Sequence, residues 1–313
     1  MPHPWVIPEI PRPRNAHVFG GSGQYLGGGF FNDPPAHVTN REFYEMCTHF
    51  VHFPQNHRFN LYHLGENNSF QAMLPRNSQQ TPRGRYVVLG VQRQVIPVKV
   101  TSEQVVRRAR TPQQSTRSQR ANQRSFAQRV WNRDGRCVLT GLRGPVRNPR
   151  RLLAAAHIFP VGQLGTWTRN GYQAWITDNT NPNLIAPRGL FSAQNGLMLE
   201  QNAHTVFDDF TLGFNPNNGY RVVVFEDDVL NFGGGELNQS TRTGPMNARV
   251  SNDCLNWHYR QCILTNMRGA GEPIWNVDEE DHDDMQALME HEHAAELLED
   301  EFGTRLGPFI EVS

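Results

Sequence analysis

The chain has 313 residues and a mass of 35.7 kDa, about two domains of average length. Its hydrophobic share of 37%, its 27 Gly and 21 Pro, and its mean hydropathy of -0.60 describe a loop-rich globular chain and exclude a fibre, a coiled coil and an integral membrane protein. The net charge of zero is a cancellation: residues 83–151 carry 17 basic residues against Glu103 and Asp134, whereas residues 278–301 carry twelve acidic residues and no Lys or Arg. Of the 30 basic residues, 29 are Arg and one is Lys99, and arginine suits bidentate phosphate contacts. This asymmetry predicts a polyanion-binding middle and an acidic tail. The first residues, MPHPWVIPEIPRP, lack the basic-then-apolar plan of a signal peptide, and Cys47, Cys137, Cys254 and Cys262 form no CxxC pair. Both features predict an intracellular chain, nuclear or cytoplasmic, with no membrane partner.

In chain order, the Gly-rich stretch at 20–29 lacks the Gly-Lys-Ser/Thr ending of a phosphate loop and reads as a flexible loop. The runs RFNLYH at 58–63 and YVVLGVQRQVIPVKV at 86–100 read as strands of a small β-rich domain. Residues 104–124 hold six arginines, no acid and no aromatic, too little to anchor a core, and read as a basic linker. From Ser125, Phe126, Val130 and Trp131 recur at helical spacing up to Asp134-Gly135. Cys137 to Leu139 reads as extended, Leu152 to Phe159 as a buried strand, and Asn202 to Asp209 as a short helix with Asn202 as cap. A further strand is expected at 220–225 and a helix at 252–268, stopped by Gly269. Within the acidic tail, Met285, Leu288, Met289, Ala295, Leu298 and Phe302 predict an amphipathic helix.

The chemistry-bearing residues are His157, Asn195, His204 and Asp208. His157 ends the strand-like LLAAAHIF, Asn195 opens NGLML, and His204 and Asp208 stand four apart in HTVFD. Positions i and i+4 share a helix face, so an imidazole nitrogen and a carboxylate oxygen there can converge on one cation. Each residue also has a plainer role: His157 as a hydrogen-bonded core residue, Asn195 as a turn former, Asp208 as a surface acid, Cys137 as a small buried hydrophobe, and His258 as packing or surface.

The succession CVLTG, AAAHIFP, NGLML and HTVFDDF resembles an HNH endonuclease domain of the ββα-metal type, and is most similar to the HNH domains common in fungal proteins. In those, FxxRVxxRDGxCVLTG and the later WHYRQCILTNMRGAGEP also recur. The resemblance covers 125–273 and implies a ββα-metal nuclease domain there; together with the β-rich N-terminal domain over 1–103, the basic linker over 104–124 and the acidic helical tail over 274–313 read from the residues themselves, the expected architecture is α+β. The resemblance also implies His157 as general base, Asn195 as the residue that keeps the base oriented, and His204 and Asp208 as ligands of one divalent metal, Mg2+ or Mn2+, with Zn2+ or Ni2+ as alternatives. The substrate class implied is DNA, cut to 5′-phosphate and 3′-hydroxyl ends, with Arg129, Arg133, Arg136, Arg147, Arg150 and Arg151 placed to meet phosphates. One position departs from the pattern. Many HNH nucleases carry a further ligand just before the base, where this chain has Ala156. Asp209 or Asp178 is the candidate replacement, and a catalytically inactive binding module is the alternative function.

Overall fold

The structure, a computed structural model, describes residues 5–53, 58–106 and 117–270. The acidic tail and its expected helix lie outside them, as do residues 107–116 of the basic linker. The elements in chain order are strands β1 (Ala16–Gly20) and β2 (Tyr25–Gly29), helix α1 (Asn40–Phe50), strands β3 (Val51–His52), β4 (Phe59–Leu64), β5 (Phe70–Met73), β6 (Gly84–Gly90) and β7 (Lys99–Val100), and helix α2 (Arg117–Asp134). There follow β8 (Leu153–His157), α3 (Leu164–Arg169), β9 (Gly196–Glu200), α4 (Gln201–Asp208), β10 (Leu212–Asn215), β11 (Arg221–Val224) and α5 (Asn252–Met267), with short 3-10 turns between. The architecture is mixed α+β.

Two compact units divide the chain. Of the described residues, the first takes those within 5–105, 210–235 and 259–270, the second those within 106–209 and 236–258. The first holds a five-stranded sheet in the order β2-β1-β6-β4-β5, antiparallel except for the parallel pair β1 and β6. Helix α1 starts at a capping box, with the Thr39 side chain accepting from the Glu42 amide and the Glu42 carboxylate accepting from the Thr39 amide. Glu42 also pairs with Arg221 at 2.7 Å. Phe43 of α1 meets Phe31 and Tyr86 edge-on, at 4.9 and 5.1 Å between ring centroids, the geometry that aromatic quadrupoles favour.

The glycine-rich stretch is not a flexible loop, because its second half is β2. A Cβ on Gly28 would lie 2.1 Å from the Ala16 carbonyl oxygen, and one on Gly27, at φ +151°, 2.1 Å from that of Met267. These glycines mark close approaches of backbone to backbone.

The second unit is built on the antiparallel pair β8 and β9, in register from Leu153 opposite Glu200 to His157 opposite Gly196. Helix α4 follows β9 without an intervening residue. Its N-cap is Glu200, with no side-chain cap bond, so Asn202 lies in the first turn and is not the cap. Helix α2 begins at Arg117, inside the stretch expected to be linker. Its Phe126 and Val130 are fully buried. Cys137 to Leu139 is a turn, not a strand. The Cys137 amide donates to the Leu142 carbonyl (2.8 Å) and the Gly141 amide to that of Cys137 (2.9 Å), with Gly141 at φ +74°. Only the Val138 amide of this run reaches β9, at the Met198 carbonyl (2.8 Å).

Candidate active site

Strand β8 delivers His157 at its C-terminal end, where the residue is 6% exposed. The imidazole lies flat on the ring of Phe126, with centroids 3.9 Å apart and planes at 8°, and meets the edge of Phe191 at 5.2 Å. Two aromatic walls thus fix the plane of the imidazole from two directions.

Asn195 closes the 3-10 turn Ala193–Asn195 immediately before β9 and is fully buried. Its side-chain Oδ1 accepts from the Phe159 amide at 2.8 Å, while Nδ2 donates to the carbonyls of Phe159 (3.0 Å) and Leu190 (2.9 Å). Its own carbonyl accepts from the Ile158 amide at 2.9 Å. The two residues after His157 are therefore held by one amide side chain and its backbone, and each buried polar group involved has a partner.

On α4, His204 Nε2 lies 3.3 Å from Asp208 Oδ2, with side chains 13% and 7% exposed. The helical period does what the sequence spacing predicts, bringing one imidazole nitrogen and one carboxylate oxygen to a single place. A neutral nitrogen donor beside a hard oxygen donor is a set that divalent ions of intermediate hardness accept. Among the described residues no group of three or more His, Cys, Asp and Glu gathers as a cage. Asp178 takes a hydroxyl bond from Ser192 (2.6 Å) and the Thr180 amide (2.9 Å), and Asp209 is the exposed C-cap of α4.

The arginines divide sharply. Arg133, with a side chain 4% exposed, uses all five guanidinium N–H groups inside the unit. Nε and Nη2 grip both oxygens of Asp134 (2.6 and 2.8 Å), Nη1 reaches the carbonyls of Ala193 (2.6 Å) and Ala248 (3.2 Å), and Nη2 reaches that of Gly196 (2.6 Å). Asp134 Oδ2 in turn accepts from the Met198 amide at 2.9 Å. Arg129 donates to the carbonyls of Leu184 (3.0 Å) and Phe191 (2.8 Å), and burial lowers its pKa, with Asp178 opposing. Both were expected to meet phosphate, but Arg133 is spent on buried groups of the fold, and Arg129, half-buried, has one fork on backbone carbonyls. Arg136 and Arg150 are partly buried, and Arg147 and Arg151 are exposed.

No motif in the sequence marks Phe126, Phe191 or Asp134 as site residues. The signal available was the Arg-Asp neighbour pair before Gly135, which reads as a turn until the buried bidentate grip is seen. His258 is packing: its ring stacks on Phe207 at 3.7 Å and 5°, with Nε2 3.0 Å from the Phe207 carbonyl.

Residues 137–215 match the HNH endonuclease family, so this segment of the chain is an HNH endonuclease domain. The matched segment contains His157, Asn195, His204 and Asp208. HNH nucleases act on nucleic acid and generally use a divalent metal. No curated protein and no solved structure matches the chain. Among the described residues, no helix is long and apolar enough to cross a membrane.

Proposed function

We propose that β8, β9 and α4 form a ββα-metal centre that hydrolyses phosphodiester bonds in DNA with the help of one divalent ion. What supports this reading is the element on which each residue stands: His157 at the end of β8, Asn195 clamping the residues that follow it, and His204 and Asp208 3.3 Å apart on the helix after β9. His157 takes the proton of the attacking water, a task for an imidazole whose ordinary pKa is near ~6.5. Asn195 is a positioning residue, and the Phe126 stack keeps the ring from turning. A divalent ion held by His204 and Asp208, Mg2+ or Mn2+ ahead of Zn2+ or Ni2+, supplies neutralisation of charge at the phosphate and at the leaving 3′ oxygen. Arg136, Arg147 and Arg151, with Arg150 beside them on Gln128, are the arginines left at the DNA backbone.

A supercoiled plasmid incubated with Mg2+ or Mn2+ is expected to be nicked, with EDTA stopping the reaction and His157→Ala slowing it by about 100-fold or more. Equal cutting by His157→Ala would remove that residue from the role of base. A second reading is favoured by Ala156, which is fully buried and offers no donor where many HNH nucleases carry another ligand. The chain is then a DNA-binding module without turnover, and it binds DNA in a salt-sensitive way but cuts under no metal. Calorimetric titration with Mn2+ separates the two readings, since a working site gives heat that disappears in His204→Ala and Asp208→Ala.

A further inference from the structure

We propose that residues 139–152, the connection from α2 to β8, form a preorganised hook that seats in the minor groove of duplex DNA. The idea takes from the nuclease reading only that the substrate is nucleic acid. Between Asp134 and Asp178 the chain has six arginines and no acid. Three of them, Arg143, Arg147 and Arg151, stand exposed on this connection. No carboxylate among the described residues forms an ion pair with these three. Guanidinium forks so placed match phosphate oxygens in both charge and geometry. At the tip, between Pro145 and Arg147, Val146 is 99% exposed, and Leu142 and Leu152 on either side are 37% and 50% exposed. A fully solvated valine adds nothing to a core. Flanked by arginines, it has the chemistry of the apolar wedges that groove binders press against base steps.

The hook is built, not loose. The Asn148 amide donates to the Pro145 carbonyl (2.9 Å), the Arg151 amide to that of Asn148 (3.1 Å), and the Gly144 amide to that of Pro149 (3.1 Å). A Cβ on Gly144 would lie 2.6 Å from the Pro149 oxygen, so the closure requires glycine. Arg150 anchors the base of the hook to α2, donating to the Gln128 side chain while its guanidinium lies 5.4 Å from the centroid of the Trp131 ring. A loop already closed loses little conformational entropy when it binds. It leads into β8, whose far end carries His157, four residue steps or roughly 13 Å away. A B-form minor groove about 6 Å wide suits a tip of this size, whereas that of A-form RNA is wide and shallow.

The test is fluorescence anisotropy with the full chain in EDTA, so that turnover plays no part. The probes are a labelled DNA duplex of about 20 base pairs, its single strand and the matching RNA duplex. The DNA duplex is expected to bind tightest. The triple variant Arg143→Gln, Arg147→Gln, Arg151→Gln is expected to lose about tenfold or more in duplex affinity at low salt, with a salt slope shallower by about three. A 2-aminopurine in the duplex is expected to brighten with the native chain and not with Val146→Ala, whose thermal melt stays in place. Unchanged affinity and slope in the triple variant would overturn the proposal, as would equal binding of all three probes. Intact duplex binding with no plasmid cutting sinks the nuclease reading and leaves the hook standing.

Discussion

Asn195 shows how much of this site rests on a residue that need not touch substrate. It satisfies both polar groups of Phe159, the Leu190 carbonyl and the Ile158 amide from one buried position. Asn195→Ala removes the side-chain bonds and leaves three buried backbone groups unserved, which is expected to destabilise the second unit by about 3 kcal/mol. Asn195→Asp keeps the acceptor and loses the donor, so it should fall between. Urea unfolding of the three proteins at neutral pH checks the order. Arg133 makes the complementary point. Its sequence setting, in a basic stretch, invites a phosphate-binding role, yet the arginine holds Asp134 and three carbonyls instead. Residue type and local charge fix what a side chain can bind, whereas burial decides what it does bind.

Among the elements, α1 carries a group whose protonation works against folding. His49 lies in its last turn, with Nδ1 2.9 Å from Arg260 Nη1, and Arg260 is itself gripped by Glu103. Burial first, and the Arg260 charge second, push the His49 pKa down to about 4. The folded form thus keeps this imidazole neutral where the unfolded chain, with a pKa near ~6.5, takes up a proton. Stability is full above about 6.5 and is lost as the pH falls from there towards 4, by an amount on the order of 3 kcal/mol. His49→Gln is expected to flatten the stability profile between pH 7 and 4, and urea midpoints across that window measure it. How far elements were legible in the sequence follows from what each depends on. Helix α5 and strands β4 and β8 were visible because their apolar positions recur along the chain itself. Strand β2 was not, since its glycines answer to backbone packed against them, Ala16 on the paired strand and Met267 far along the chain. The turn at Cys137 mimicked a strand because its apolar residues serve burial without a ladder. In the site, the i,i+4 pair on α4 was legible from spacing alone. The aromatic walls around His157 were not, because Phe126 and Phe191 reach it from different segments.

For the whole molecule, neutrality conceals two opposed parts. Residues 277–313 hold 13 acidic residues and one Arg, so the chain without them has a formal charge of +12. Such a field raises the local concentration of a polyanion and is screened over about 10 Å at 0.1 M salt. Truncation after Asn276 is therefore expected to tighten DNA binding at low salt. The gain should shrink as salt is added, and anisotropy titrations of both proteins at two ionic strengths check it. An equal gain at every salt concentration would point away from a charge effect.

The face-to-face contact of His157 with Phe126, 3.9 Å between centroids, gives the imidazole a magnetic signature. Protons above a benzene ring are shielded by its circulating electrons, so the carbon-bound hydrogens of this histidine, like those of His258 on Phe207, resonate upfield of an unstacked histidine's. That displaced line reports, in a resting protein and without any nucleic acid, how the ring gains and loses its proton.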